Sequence, residues 1–382
     1  SVEIIAHRSE MGTGIRTSLP QVVADEMEAD WPRVTVIQGL GNPAYGSQDT
    51  DGSCSIRDFY LIMRQMGAAA RRMLEQAAAQ RWGVGVSECK ARDHAVHCSD
   101  GRSLGFGELA SAASRQAIPN MAELPLKAAG QFNYIGKDVA IVDLHDMTTG
   151  NTVFGIDVAL PDMVYASIER TPVLGGTVRS FNDKSARMVK GVIDVVEIKG
   201  QPLPAMFHAL PGVAVIADSS YAAMKGREAL SVQWDPGENA SHNSSSYLDE
   251  LQERVTHPGE VFRQRGDVVK AMADATKKVE AAYRTPYLAH APMEPPMSTA
   301  RVGEGGCEVW TCTQNPQAVQ QVVAGALGLK PEQVKVHVTL LGGGFGRKSK
   351  PDYSAESALL ARDIGRPVQV TSVVLTSASC LG

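Results

Sequence analysis

The feature that most constrains this chain is a run of three glycines at positions 342–344, within the sequence LLGGGFGRKSK. An alternating segment, VKVHVTL, leads into the run and predicts a β-strand with its valines on one face. Pro351 follows and opens a predicted helix. Glycines at such a junction allow positive φ and close contact with a ligand, and backbone N–H groups before a helix suit an oxyanion or a phosphate. The stretch predicts an anion-binding loop, with a plain turn as the alternative.

Two known phosphate-binding motifs do not match this loop. Counted from Gly342, the second glycine of the Walker A pattern G-x-x-x-x-G-K-S/T falls on Arg347. The dinucleotide fingerprint G-x-G-x-x-G, counted from the same glycine, fails at the same residue. Neither a P-loop nor a Rossmann-type site is therefore predicted.

Length, charge and hydropathy exclude several classes of protein. A chain of 382 residues predicts two or three domains with sizeable cores. A formal net charge of −5 argues against a nucleic-acid-binding protein, which normally carries a basic stripe. No apolar run reaches about 18 residues, so no membrane-spanning segment is expected. No signal peptide is visible, because Ser1 is followed at once by a strand-like segment.

The six cysteines do not form a recognisable metal-binding pattern. They lie at positions 54, 89, 98, 307, 312 and 380, without a C-x-x-C pair. A zinc site or an iron–sulfur cluster held by this chain is therefore not predicted, and no protein ligand to a metal is assigned. Cys89 could pair with Cys98, or Cys307 with Cys312, in an oxidising compartment, but buried free thiols are the favoured interpretation.

The first 134 residues predict strands that alternate with helices. A strand at 1–8 leads into the segment EMGTG, and a polar loop at 48–55 precedes a long helix whose methionines recur at helical spacing and are interpreted as core. The predicted elements are a helix from about Leu19, a strand at Val34–Gln38, a helix at Ser55–Trp82, strands near Ala95 and Leu104, and a helix at Phe106–Ala117.

Residues 135–235 are dominated by short strand patterns and read as a compact α+β domain, followed by a linker at 236–247. In the last third, Asn315-Pro316 predicts a helix start and Gly328 its end. The other predicted elements are strands at Val153–Val158, Met163–Arg170, Gly176–Phe181, Val192–Ile198, Gly212–Ala217, Glu308–Thr313 and 334–341, and helices at Tyr221–Glu228 and Tyr353–Ile364.

Four stretches together resemble the large, molybdenum-binding subunit of the xanthine dehydrogenase/aldehyde oxidase family, most closely its isoquinoline 1-oxidoreductase β-subunit group. They are GGGFGRK at 342–348, EMGTG at 10–14, TDGS at 50–53, and FGIDVALPDMVYASIERTPVLGGTV at 154–178. The second is similar to the family's E-M-G-Q-G loop and precedes the fourth, which resembles the family's hammerhead domain; this order is similar to that of the isoquinoline group. The resemblance implies an α+β fold in which molybdopterin-binding portions at 1–134 and 248–382 flank a hammerhead domain at 135–235.

The resemblance implies a molybdenum hydroxylase that oxidises an N-heterocycle or an aldehyde, with water as the oxygen source. It implies a molybdenum–molybdopterin cofactor, with the cytosine dinucleotide form left open, and [2Fe–2S] clusters only in a small partner subunit. A cytochrome or a flavin is the expected electron acceptor. The alternative is a non-catalytic protein that binds a phosphate-bearing ligand, or a structural subunit of a larger complex. The compartment stays open: cytoplasm on this chain alone, or the periplasmic face if a signal precedes it.

By position, the resemblance assigns residues to a cofactor site and one residue to catalysis. Family members often carry a glutamine where this chain has Thr13, and its amide bonds the metal's oxo group. Threonine is shorter, so either a water intervenes or that contact is absent. Glu294 aligns with a carboxylate on the substrate side and is the catalytic candidate; the alternative is a carboxylate that fixes a proline-rich turn. His290 is interpreted as structural. The cofactor-binding candidates are Gly12, Thr13, Gly14, Asp51, Gly52, Ser53, Gly343, Gly344, Phe345, Gly346 and Arg347.

The chain departs from the family pattern in two places. The family's general base is a glutamate in a G-x-G-E loop far downstream of the glycine loop, whereas Gly303-Glu304-Gly305 lies upstream. After Gln369-Val370 the sequence TSVVLTSASCLG replaces a Trp-Thr-Arg-Glu-like segment. We therefore expect roughly the first half of a large subunit, catalytically incomplete alone and exposing apolar surface, from a truncated, frameshifted or split gene.

Overall fold

The structure is a computed structural model that describes residues 1–372, so most of the segment TSVVLTSASCLG, which departs from the family pattern, lies outside the described residues. It has a mixed α/β architecture. The helices are α1 (Ile15–Met27), α2 (Ser55–Trp82), α3 (Phe106–Ala113), α4 (Leu144–Thr149), α5 (Lys184–Arg187), α6 (Ser220–Glu228), α7 (Ser244–Arg254), α8 (Val268–Asp274), α9 (Pro316–Leu327) and α10 (Asp352–Ile364). The strands are β1 (Val2–Ala6), β2 (Val34–Gln38), β3 (Cys89–Arg92), β4 (Ala95–Cys98), β5 (Ser103–Gly105), β6 (Val164–Arg170), β7 (Thr177–Asn182), β8 (Val192–Ile198), β9 (Gly212–Ala217), β10 (Ser231–Asp235), β11 (Met297–Gly303), β12 (Gly306–Thr311), β13 (Val334–Val338) and β14 (Val368–Thr371).

A seven-stranded sheet joins the middle and last thirds of the described chain. Its strand order is β13-β12-β11-β14-β6-β9-β8, with β12–β13 and β14–β6 parallel and the other pairs antiparallel. Helices α9 and α10 pack their apolar faces on it, because valine, leucine and alanine recur at helical spacing along both. The core between them includes Val164, Ile168, Val309, Val319, Val323, Val336, Ala358, Leu360 and Val368. The division at 235 and 248 remains a prediction, although the sheet extends across it.

The first third forms a separate core around α1 and α2. Strands β1 and β2 pair in parallel from Val2↔Val34 to Ala6↔Gln38, and the hairpin strands β3, β4 and β5 lie beside α2 and α3. Strands β1, β2, β4 and β5 and helix α2 lie where the sequence predicts them, whereas the short strand β3 was not predicted. The buried set includes Ile4, Ala24, Leu74, Ala78, Val96, Phe106 and Leu109.

Several predicted boundaries are wrong, and each error has a local cause. The predicted strand Val153–Val158 is a single bridge at Phe154 followed by one turn of 3-10 helix, because the Asp157 carboxylate accepts the Phe154 N–H at 3.0 Å. Helix α1 starts four residues earlier than predicted, at Ile15. Helix α3 ends at Ala113, four residues early, and α7 begins inside the predicted linker because the Asn243 side chain caps it.

One long stretch of the described chain is fully open to solvent. Every residue from 251 to 291 is exposed, including helix α8 and the end of α7. Apolar side chains are prominent in it; the exposed ones include Val255, Val261, Phe262, Val268, Val269, Met272, Val279, Tyr283 and Leu288. The sequence predicts exposed apolar surface, and surfaces of this kind mark contacts with other protein segments.

Candidate cofactor site

Three loops that are far apart in sequence line one cavity of about 680 Å³. They are the EMGTG loop, the loop at 50–55 and the glycine loop, and each contributes residues that the sequence singled out. A volume of this size lies in the range of small-molecule and cofactor sites. The predicted residues that line it are Thr13, Asp51, Gly52, Ser53, Gly343, Gly344, Phe345 and Gly346, joined by Met11, Ile15, Ser18, Thr50, Ser55, Ile56 and Gln314. Their role in binding a cofactor stays a prediction.

The EMGTG loop is built around the carboxylate of Glu10, which is buried. That carboxylate accepts hydrogen bonds from the N–H groups of Gly12 at 2.7 Å, Gly14 at 3.0 Å and Arg16 at 3.0 Å. Gly12 and Gly14 both have positive φ, 98° and 75°, which glycine adopts without strain. Glu10 thereby satisfies free N–H groups at the start of α1 and explains its early start. The two glycines shape the loop, while Met11 and Thr13 face the cavity.

The second loop delivers the N-terminus of α2 to the same cavity. Gly52 and Ser53 both adopt left-handed backbone conformations, and Cys54, at the N-cap position, makes no side-chain capping bond. Ser55 and Ile56, in the first turn, line the cavity. The N–H groups and the dipole of this 28-residue helix therefore create an environment that favours an anion.

The glycine loop presents backbone N–H groups to the cavity. Within residues 1–372, the N–H groups of Gly343, Gly344 and Phe345 are not paired with an acceptor. Phe345 adopts a φ of 53°, unusual for a residue with a large side chain, and the residue is 69% exposed. Backbone strain of this kind is concentrated at ligand-binding sites, so the loop has the features of a preformed donor surface.

Gln314 connects the second loop with the glycine loop, and the sequence analysis missed it. Its side-chain carbonyl accepts the Gly346 N–H at 3.0 Å, and its NH₂ group donates to the Thr50 carbonyl at 2.7 Å. The Thr50 N–H donates back to the Gln314 carbonyl at 2.9 Å. The sequence contained a signal for its position, because Gln314 follows β12 and the glycine loop follows β13. The ends of adjacent parallel strands meet at one edge of a sheet, so the two segments could have been expected to lie close together.

The structure places Glu294 beneath the glycine loop. Glu294 is 7% exposed and accepts hydrogen bonds from the Gly342 N–H at 2.9 Å and the Lys348 ammonium at 2.7 Å. The Ile156 N–H donates to its other oxygen at 3.3 Å. Burial and then the Glu294 charge raise the pKa of the adjacent Cys312 thiol to about 12. Glu294 does not line the 680 Å³ cavity.

Arg347 and His290 lie at a second cavity of about 600 Å³. The Arg347 guanidinium forms a two-point ion pair with Asp352, at 2.8 and 2.6 Å, and does not line the cavity formed by the three loops. His290 is exposed and lines the same second cavity. Arg347 is thus a predicted cofactor-binding residue whose side chain pairs with Asp352 and lines the second cavity instead.

Buried polar atoms without partners lie beside the second loop. They include His7 Nε2, Ser9 Oγ and Asp49 Oδ1. Burial and then the neighbouring Arg8 charge lower the pKa of His7 to about 4, and burial followed by the nearby Asp51 charge raises the pKa of Asp49. Buried groups of this kind normally have a partner, so the region has hydrogen-bonding capacity that the described chain does not use.

The cysteines of the described chain are free thiols, as the sequence favoured. Cys89, Cys98, Cys307 and Cys312 are buried, and Cys54 is partly exposed. In residues 1–372, no three His, Cys, Asp or Glu side chains cluster in a way that could hold a metal ion. No helix in that range is both long enough and apolar enough to cross a membrane.

Comparison with known proteins identifies the family. Models described as molybdopterin cofactor-binding domains match residues 1–159 and 251–376. The beta chain of isoquinoline 1-oxidoreductase from Brevundimonas diminuta is 30% identical, over 97% of this chain and 52% of its own length. A nicotinate dehydrogenase subunit of Pseudomonas putida is 28% identical, over 94% of this chain and 30% of its own length. The solved aldehyde oxidoreductase from Desulfovibrio gigas aligns at 16% identity and a TM-score of 0.47, covering 99% of this chain and 50% of that chain.

The chain spans about half the length of the first of these relatives. The xanthine dehydrogenase molybdenum-binding subunit of Escherichia coli O157:H7 is also similar, at 25% identity over 60% of this chain and 35% of its own length. The two family models together cover the EMGTG loop, the loop at 50–55 and the glycine loop. This chain therefore belongs to the molybdopterin-dependent molybdenum hydroxylase family that includes isoquinoline 1-oxidoreductase β-subunits, nicotinate dehydrogenases and xanthine dehydrogenases.

Proposed function

We propose that this chain forms the molybdopterin-binding part of an enzyme that oxidises an N-heterocycle or an aldehyde with water as the oxygen source. The observation that carries the proposal is the convergence of the three loops on one cavity of about 680 Å³. Two relatives whose names specify N-heterocyclic substrates, isoquinoline and nicotinate, favour the N-heterocycle.

The residues around the cavity fit an anionic, ring-bearing cofactor. The N–H groups of Gly343, Gly344 and Phe345 would hold its polar edge, and the first turn of α2 would hold a phosphate. A Cβ added at Gly12 or Gly52 meets nothing within 4 Å, so these glycines leave open space beside the loops. When bound, the cofactor supplies the redox centre, while this chain supplies binding, orientation and protection from water.

The proposed enzyme needs groups that the described chain does not provide. We place the general base on polypeptide outside residues 1–372, because Glu304, the glutamate in the local Gly-Glu-Gly sequence, lies exposed on the β11–β12 hairpin away from the cavity. We also propose a small [2Fe–2S] partner subunit and a cytochrome or flavin acceptor. Several relatives carry names of single subunits, which supports a multi-subunit assembly.

The test is a cofactor analysis of the chain isolated from its source cell together with whatever copurifies. We expect close to one molybdenum per chain, a fluorescent pterin after acid oxidation, and release of cytidine monophosphate if the pterin is the cytosine dinucleotide. A copurifying small protein should contain iron and acid-labile sulfide. An assembly that includes this iron–sulfur protein and yet contains neither molybdenum nor pterin would overturn the proposal.

The runner-up is a non-catalytic protein that binds a phosphate-bearing ligand in the same cavity. The position of the N-terminus of α2 at the cavity is the observation that favours it, because helix N-termini bind phosphate without any redox centre. The same experiment separates the two functions. A bound phosphate compound without metal or pterin supports the second, and molybdenum with pterin supports the first.

A further inference from the structure

We propose that Glu294 is a positioning residue: its buried carboxylate holds the glycine loop in shape through Gly342 and Lys348. The consequence for cofactor binding rests on the proposed function, but the positioning of the loop does not. The assignment of Glu294 to the substrate side remains the alternative.

Glu294 joins three segments that are distant in sequence. Its own N–H donates to the Gly342 carbonyl at 3.0 Å, and the Gly342 N–H returns a hydrogen bond to its carboxylate at 2.9 Å. The Ile156 N–H reaches the other carboxylate oxygen at 3.3 Å. Both carboxylate oxygens are therefore engaged by groups of the protein, and the residue is 7% exposed. A buried carboxylate with both oxygens hydrogen-bonded to the protein holds the backbone in place and has little capacity to bind a substrate.

The contact with Gly342 leaves no room for a side chain. A Cβ at Gly342 would lie 2.6 Å from the Glu294 Cβ and 3.3 Å from the Glu294 nitrogen. Glycine is therefore needed at the first position of the loop for close approach, whereas Gly343 and Gly346 have positive φ. The first glycine of the run is explained by Glu294.

The buried Lys348 side chain needs the negative charge of Glu294. Its side chain is completely buried, and its ammonium lies 2.7 Å from a Glu294 oxygen. Its backbone carbonyl accepts from the Gln314 N–H at 3.0 Å and the Thr313 hydroxyl at 3.1 Å. A buried ammonium without a counter-charge is strongly unfavourable, so loss of the Glu294 charge would drive Lys348 towards water and distort the loop on both sides of it.

The test uses four variants of the full chain in the assembly in which it is isolated: Glu294→Gln, Lys348→Met, the double variant, and Glu304→Gln as the matched control. Glutamine at 294 keeps an acceptor for the Gly342 N–H, and methionine at 348 removes the charge that needs compensation. Glu304 is exposed on a hairpin, so its change should leave every measurement as in the parent chain. The first readout is amide hydrogen exchange of peptides covering 340–350.

We expect Glu294→Gln alone to speed exchange of the loop amides at least about tenfold, because a buried charge is left unpaired. The double variant should return to within about threefold of the parent rate, since the unpaired charge is gone. Molybdenum content per chain should fall and recover in parallel. The proposal would be overturned if the loop amides of Glu294→Gln exchange at the parent rate. It would also be overturned if those of the double variant exchange as fast as those of Glu294→Gln.

The substrate-side alternative gives a different pattern. Glu294→Gln would then raise KM or lower kcat with loop exchange and molybdenum content unchanged, and Lys348→Met would not rescue it. If no variant and not even the parent contains molybdenum, the proposed function fails. Hydrogen exchange would still decide the positioning role, because that measurement does not require the cofactor.

Discussion

Replacing Gly344 by alanine tests whether Gln314 holds the loop at 50–55 and the glycine loop together. A Cβ at position 344 would lie 2.5 Å from the Gln314 Oε1 and 2.9 Å from the Met11 sulfur. The backbone of Gly344 does not have positive φ, so the added methyl group acts by contact and not by backbone strain. Gln314 is 1% exposed and hydrogen-bonded at both ends of its amide, so a displacement of the side chain breaks at least one of these bonds.

The cost can be worked out from these contacts. Displacing the Gln314 amide breaks its bonds to the Gly346 N–H and the Thr50 carbonyl, and each buried group left unpaired costs about 1–3 kcal/mol. Overpacking against Met11 adds roughly 1–3 kcal/mol. Because the site opens on a cavity and can relax partly, we expect a loss of about 3–5 kcal/mol in the free energy of unfolding of this region.

The assay is urea unfolding of Gly344→Ala and of Gly325→Ala as a matched control, followed by molybdenum and pterin content. Gly325 is exposed in α9, and a Cβ there meets nothing within 4 Å. The same chemical change at Gly325 should stabilise the chain by about 0.5–1 kcal/mol, because alanine favours a helix. Gly344→Ala should lose cofactor, whereas Gly325→Ala should keep it.

The reasoning is refuted if Gly344→Ala unfolds within about 1 kcal/mol of the parent chain, the size of one net hydrogen bond. In that case Gln314 would not be held by the contacts described. A chain that is destabilised as expected but retains its full cofactor content would instead separate the Gln314 contacts from cofactor binding.

Three further predictions concern other parts of the chain. Burial alone would raise the pKa of Asp25, but hydrogen bonds from backbone N–H groups and a lysine ammonium lower it below the ordinary value. The ionised Asp25 carboxylate therefore stabilises the folded chain fully above about pH 4, and this contribution is lost as pH falls through the native pKa. When the free energy of unfolding is measured in urea at several pH values, its fall at acid pH should be smaller in Asp25→Asn than in the parent chain. Glu356→Gln should cost about 3–5 kcal/mol in urea unfolding, because the fully buried Glu356 carboxylate pairs with Arg170 at 2.6 and 2.5 Å; a loss below about 1 kcal/mol would contradict this. Among the described thiols, the partly exposed Cys54 should react first with a disulfide reagent, and Cys54→Ser should remove this fast phase of the reaction. Burial and then the Glu308 charge raise the pKa of Cys307 to about 12, so this thiol should react only on unfolding.

Local sequence patterns determine most of the regular elements and the identity of the loops. Alternation of valines predicts β13, and Asn315 before Pro316 predicts α9, where the Asn315 side chain accepts the Ala318 N–H at 3.0 Å. Glycines at positions 12, 52 and 343 adopt positive φ, because local steric limits apply wherever the loop lies in the fold. These features depend on neighbours within a few residues, so the sequence by itself determines them.

Only the tertiary structure decides which side chains meet. Gln314 and Thr50 are 264 residues apart, and Glu294 and Lys348 are 54 apart, so no local pattern assigns either pair. The buried Glu10 carboxylate sets the start of α1 through N–H groups that the pattern of apolar residues does not reveal. The parallel pairing of β12 and β13 brings Gln314 and the glycine loop to one edge of the sheet, and a local pattern does not contain that pairing. This is why the loops could be predicted but the long-range contacts that support them could not.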